Sequence, residues 1–74
     1  MLGATEDAYK YKQYSLATEL LESEYNKASN NKEKARQAYL LARSYDYLQE
    51  FGEALLWYDI ADQLRYAPHS EADL

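Results

Sequence analysis

Residues 35–68 read ARQAYLLARSYDYLQEFGEALLWYDIADQLRYAP, and this stretch decides the fold. Its first half places Ala38, Leu41, Ala42, Tyr45 and Leu48 at the three- and four-residue intervals that line up along one side of an α-helix. That rhythm predicts a helix running to about Gln49. Gly52 then stops or restarts the chain. A second helical rhythm follows in Ala54, Trp57, Tyr58, Ala61 and Leu64, and Pro68, which cannot continue a helix, closes it.

Working towards the N-terminus, the same pattern recurs. Asn30 followed by Glu33 has the spacing of a capping box, in which each side chain satisfies an otherwise orphaned backbone amide. Before the Ser29-Asn30-Asn31 break lies another apolar stripe, Ala17, Leu20, Leu21, Tyr25 and Ala28, with Ser15 as its expected cap. A shorter helix is expected to open at Thr5, with Glu6 and Asp7 facing its positive end, and to run to about Lys12. A strand reading fails. There is no sustained apolar–polar alternation, few β-branched residues and no hairpin dipeptide such as Asn-Gly. The fold expected is all-α: four helices joined by short links that turn neighbours antiparallel.

The chain repeats itself. Slid by about 37 residues, Tyr14 falls on Phe51, Ala17 on Ala54, Leu20 on Trp57 and Leu21 on Tyr58. A period in this range marks stacked helix pairs, because one pair alone cannot bury its apolar face. In the segment from Ala35 to Pro68, Leu41-Ala42 and Tyr45, then Ala54, Tyr58 and Ala61, with Phe51 at the turn, resemble a tetratricopeptide repeat. Ala38 departs from that pattern, which has a large residue there, and Pro68 falls slightly late. The resemblance implies an α-solenoid of roughly two repeats in one domain spanning 1–74. The first repeat, 3–30, is degenerate; the second covers 31–68; residues 69–74 are a tail or the start of a further helix. A narrower resemblance rests on Tyr14-Ser15-Leu16-Ala17, then Lys32-Glu33-Lys34-Ala35 and the Ala-x-x-Tyr-Asp ending. These look like the repeats that precede OmpA-like domains in envelope proteins of the type IX secretion system. That resemblance implies a bacterial periplasmic or envelope location and a role in protein transport; a cytoplasmic scaffold is the other reading.

Composition narrows the function further. A formal net charge of -5 gives no general attraction to nucleic acid phosphates or anionic membranes. No apolar run approaches the roughly 18 residues of a membrane-spanning helix. There is no cysteine to form a disulfide or a thiolate metal site. No catalytic residue, cofactor or metal site is expected. The single histidine, His69, sits beside Pro68 with no partner suggested, and a solvated loop residue is its plainer reading. Glu19 with Glu22 and Asp59 with Asp62 share helix faces, but two carboxylates fall short of the ligand set a hard cation needs, and a solvated acidic face explains them.

Nine tyrosines in 74 residues need an explanation. Tyr45 and Tyr58 fall on packing stripes. Tyr39 and Tyr47 do not, and with Arg36 and Arg43 they recur about every two turns along the third helix. By resemblance, that side lines a concave groove. Arginine and tyrosine are the residue types that concentrate binding energy in interfaces. The expected partner-binding set is therefore Arg36, Tyr39, Arg43 and Tyr47, all mostly exposed. The alternative is that the arginines simply pair with Glu33 or Asp46. The expected function is protein–protein interaction, with a protein or peptide as partner. A second expectation is a purely architectural spacer, or self-association through open repeat ends. Leu55, Leu56, Trp57 and Ile60 surround the last helix, more apolar surface than one neighbour covers. Ser70-Glu71-Ala72-Asp73-Leu74 reads as the first turn of another helix, so the chain is expected to be part of a longer protein.

Overall fold

A computed structural model describes residues 4–64, apart from the side chains of Ala4 and Glu6. The chain folds as α1 (Ala4–Lys10), α2 (Tyr14–Lys27), α3 (Asn31–Tyr47) and α4 (Phe51–Gln63). No strand occurs among the described residues. Each link is three residues long, and each helix packs on the next: α1 on α2, α2 on α3, α3 on α4. The expected all-α fold of four helices is what forms.

The core is built mostly of alanine. Ala8, Ala17, Ala35, Ala38, Ala42, Ala54 and Ala61 are buried, and Leu21 and Leu41 are the two large apolar side chains buried with them. Small residues at helix crossings let the backbones approach closely. The space beside each crossing is then closed by larger, partly buried groups: Tyr9, Leu20, Tyr25, Leu40, Tyr45 and Trp57 pack against the cluster of Ala8, Ala17, Leu21 and Leu41. Tyr25 of α2 meets Trp57 of α4 edge to face at 5.1 Å, bridging the two helices. Ala38, where the repeat pattern has a large residue, is fully buried. Tyr45 and Tyr58 are half-buried rather than fully inside, and the stripe on α3 ends before Leu48, which is exposed. Ser44, polar and missed by the apolar pattern, is fully buried because its hydroxyl donates to the Leu40 carbonyl at 2.9 Å.

The helix boundaries separate good from poor cap signals. Asn30 is the cap of α3 as expected, its side chain accepting from the Glu33 amide at 2.8 Å. Ser15 is not a cap. α2 begins at Tyr14, and the Ser15 carbonyl is engaged instead by the Thr18 hydroxyl at 2.7 Å. Thr5 lies inside α1 and is buried, and α1 ends at Lys10 rather than Lys12.

The turns carry the clearest internal repeat. After α1 the Lys12 amide donates to the Tyr9 carbonyl at 3.1 Å and the Gln13 amide to the Ala8 carbonyl at 2.8 Å. After α3 the Gln49 amide donates to the Asp46 carbonyl at 3.0 Å and the Glu50 amide to the Tyr45 carbonyl at 2.9 Å. Each bond of the second pair lies 37 residues beyond its counterpart, the same offset that aligns the side chains. Both are Schellman motifs, which end a helix with one left-handed residue. That residue is Lys12 at φ 61° and Gln49 at φ 62°. Gly52 does not make the turn: it sits in the first turn of α4, and a Cβ there would meet nothing within 4 Å.

Two ordinary side chains therefore occupy a conformation that favours glycine. The left-handed strain costs about 1–2 kcal/mol per residue, against about 0.4–1 kcal/mol for loosening the unfolded chain with glycine. Gln49→Gly is expected to be net stabilising by roughly 0.5–1 kcal/mol, and Lys12→Gly likewise. Thermal unfolding of the double variant should occur several degrees higher. A lower melting temperature would show that the Lys12 or Gln49 side chain contributes more than its backbone strain costs.

Candidate partner-binding face

The four residues expected to bind a partner all lie on α3, at intervals of three, four and four residues, and so share one side of the helix. The structure joins three of them. Arg43 Nη1 donates to the Tyr39 hydroxyl at 3.4 Å, and Nη2 donates to the Tyr47 hydroxyl at 3.1 Å. The guanidinium carbon stands 5.8 Å and 5.9 Å from the two ring centroids. That is the outer edge of cation–π reach, so the hydroxyl bonds set the geometry. Arg36 is exposed one to two turns away.

Residues from three other helices complete the arrangement. Tyr14, at the start of α2, stacks on Tyr47 with centroids 4.4 Å apart and planes 11° from parallel. Tyr9 of α1 meets Tyr14 edge-on at 5.7 Å. Tyr58 of α4 meets Tyr39 edge-on at 6.0 Å. The result is a continuous line of groups, Tyr9, Tyr14, Tyr47, Arg43, Tyr39 and Tyr58, crossing all four helices. Tyr9, Tyr14 and Tyr58 were missed as members. Within α3 the spacing of tyrosine and arginine was visible, but which rings of other helices reach them depends on how the helices stack. The expectation that all four α3 residues are mostly exposed is corrected: Tyr47 and Arg36 are exposed, whereas Tyr39 and Arg43 are half-buried under the added rings.

Electrostatics follow the geometry. Hydrogen bonds to Tyr47 and Tyr39, then the nearby Tyr9, push the Arg43 pKa further above its ordinary value, so the group is a fixed cation. Burial raises the Tyr9 pKa, with Arg43 opposing the rise. Burial also raises that of Tyr58, reinforced by Asp46. Arg43 thus turns to tyrosine hydroxyls in the arrangement where a pairing with Asp46 was the simpler expectation.

Elsewhere, the acidic pairs behave as solvated faces: Glu19, Glu22, Asp59 and Asp62 are all exposed. No group of three or more metal-ligating side chains gathers among the described residues. None of the described helices is long and apolar enough to cross a membrane. An open cavity of about 290 Å³ lies between the end of α2 and the start of α3, lined by Glu24, Lys27, Ala28, Glu33 and Gln37. The Gln37 Oε1 atom is buried without a hydrogen-bond partner. His69 and the segment from Arg65 to Leu74 lie outside the described residues, as does the expected start of a further helix.

No family model, curated protein or solved structure matches the chain.

Proposed function

We propose that this chain is a non-enzymatic interaction module that binds a peptide or protein through the α3 face, with Arg43 and Tyr47 at its centre and Arg36 and Tyr39 beside them. The observation that carries this reading is the line of rings that holds Arg43. Binding ordinarily costs about 0.5–1.5 kcal/mol for each flexible side chain immobilised. Here the stack of Tyr14 on Tyr47 and the two hydroxyl bonds have already ordered the contact groups. Tyrosine supplies broad amphipathic area with few rotatable bonds, and a fixed guanidinium supplies donors for an acidic or carbonyl-bearing partner. The tetratricopeptide resemblance supports a groove on this side, and the narrower resemblance supports a place in an envelope secretion complex.

The test is selection from a randomised peptide library, followed by mapping of the selected peptides on the chain by amide chemical shifts. The footprint is expected to centre on Tyr39, Arg43 and Tyr47. Tyr47→Ala and Arg36→Ala are expected to weaken binding about tenfold or more, the effect of truncating an interface hot spot. Both side chains are exposed, so these variants should keep the fold. An alanine at Arg43 removes both hydroxyl bonds, and Tyr47→Ala removes one of them with the Tyr14 stack; Arg36→Ala disturbs neither and is the cleanest probe. Selected peptides that map away from α3, or that ignore both substitutions, would refute the reading.

A further inference from the structure

The outer side of α4 carries three exposed large apolar side chains. Leu55 is 70% exposed, Phe51 57% and Leu56 51%. Phe51 and Leu55 are four residues apart and so neighbours on the helix surface. Isolated exposed leucines are ordinary, but a contiguous group of this kind marks a surface that meets something. Asp59 and Asp62 continue the row four and seven residues beyond Leu55, and both are exposed. α4 holds Glu53, Asp59 and Asp62 and no lysine or arginine.

The aspartates stand in an awkward place. The carbonyl end of a helix is partially negative and disfavours carboxylates in its last turns. Among the described residues the compensation shown is a hydrogen bond from Gln63 Nε2 to Asp59 Oδ2 at 3.0 Å. A cation brought by another molecule would relieve both this repulsion and the mutual repulsion of the two acids. The same charge pattern argues against a second copy of α4 on this face, since two such helices would oppose acid to acid.

We infer that the outer face of α4 docks an amphipathic helix of another protein, one whose apolar stripe covers Phe51, Leu55 and Leu56 and whose lysine or arginine residues align with Asp59 and Asp62. An apolar helix face laid against an apolar surface supplies the affinity, and the charges set direction and exclude acidic helices. This surface is centred on α4 and the tyrosine–arginine face on α3; the two meet at Tyr58.

The full chain is titrated by calorimetry with a synthetic leucine–lysine amphipathic peptide and with its leucine–glutamate counterpart. The lysine peptide is expected to bind, and the glutamate peptide not. Leu55→Asp, and separately the double variant Asp59→Lys/Asp62→Lys, should each weaken the lysine peptide about tenfold or more. Binding should also fall with added salt. All three positions are exposed, so the variants should fold, which circular dichroism checks; Phe51→Ser serves as a further variant of the same face. Tyr47→Ala should leave this binding unchanged, which separates it from the α3 face. The inference is overturned by equal binding of both peptides, by no binding of either, or by indifference to Leu55→Asp. It is also overturned if sedimentation of the chain alone reveals a dimer that Leu55→Asp dissolves, for then the occupant is a second copy.

Discussion

Leu41→Ala is expected to leave the chain largely unfolded at room temperature. Leu41 is 0% exposed and, with Leu21, is one of two large apolar side chains fully inside the core. Removing a buried leucine costs about 2–5 kcal/mol, more where the surroundings cannot collapse into the gap. Leu41 sits in one cluster with Ala8, Ala17 and Leu21, closed in by larger, partly buried groups such as Leu20, Leu40 and Trp57. A chain of this length has a total stability of about 3–5 kcal/mol, so one substitution removes most of it. Urea unfolding followed by far-ultraviolet circular dichroism checks this. Leu21→Ala should behave like Leu41→Ala, whereas Leu55→Ala, at an exposed position, should stay within about 0.5 kcal/mol of the parent. Equal tolerance of Leu41→Ala and Leu55→Ala would mean that the core is not where the structure places it.

The unequal weight of these leucines explains what could be read in the sequence. Helix identity and number follow from side-chain periodicity, which is local, and Ala17, Leu21, Ala38, Leu41, Ala42, Ala54 and Ala61 were all marked by it. The Asn30 cap was legible because its partner, the Glu33 amide, is three residues away. The turn at Gln49 was not legible. A left-handed residue is announced in sequence by glycine, and here the nearest glycine, Gly52, stands three positions beyond the place that needs it. Only the backbone bonds reveal that Lys12 and Gln49 do the same work 37 residues apart. The fully buried leucines were not distinguishable from Leu48 or Leu64, since a stripe shows direction but not how much neighbour stands opposite. The candidate site divides in the same way. Arg36, Tyr39, Arg43 and Tyr47 could be placed on one helix by spacing, but the stack of Tyr14 on Tyr47 joins residues far apart in the chain, and no local pattern carries it.

The tyrosines make a second large effect at high pH. Burial is the leading cause that raises the pKa of Tyr9, Tyr45 and Tyr58. Around Tyr45 the carboxylates of Glu22 and Glu53 add to it, and around Tyr58 that of Asp46 does; Arg43 works against the rise at both Tyr9 and Tyr58. In the unfolded chain the same phenols ionise near about 10. The folded state therefore holds its protons longer than the unfolded state. Stability from these groups is intact below about pH 10 and falls as the pH climbs from there through the higher folded values, because the unfolded chain gains by releasing protons first. Each new tyrosinate also deepens a charge that is already -5 at neutral pH, and self-repulsion acts in the same direction. The expected result is cooperative alkaline unfolding, with loss of helix and appearance of tyrosinate absorbance in the same pH range. Replacing Tyr45 and Tyr58 by phenylalanine removes two of the groups that drive the transition while keeping their rings, and should move its midpoint to higher pH. Tyr11, exposed and outside the cluster, is the control: Tyr11→Phe should leave the midpoint where it is. Helix content that persists unchanged after most of the tyrosines have ionised would show that Tyr9, Tyr45 and Tyr58 are not held neutral by the fold.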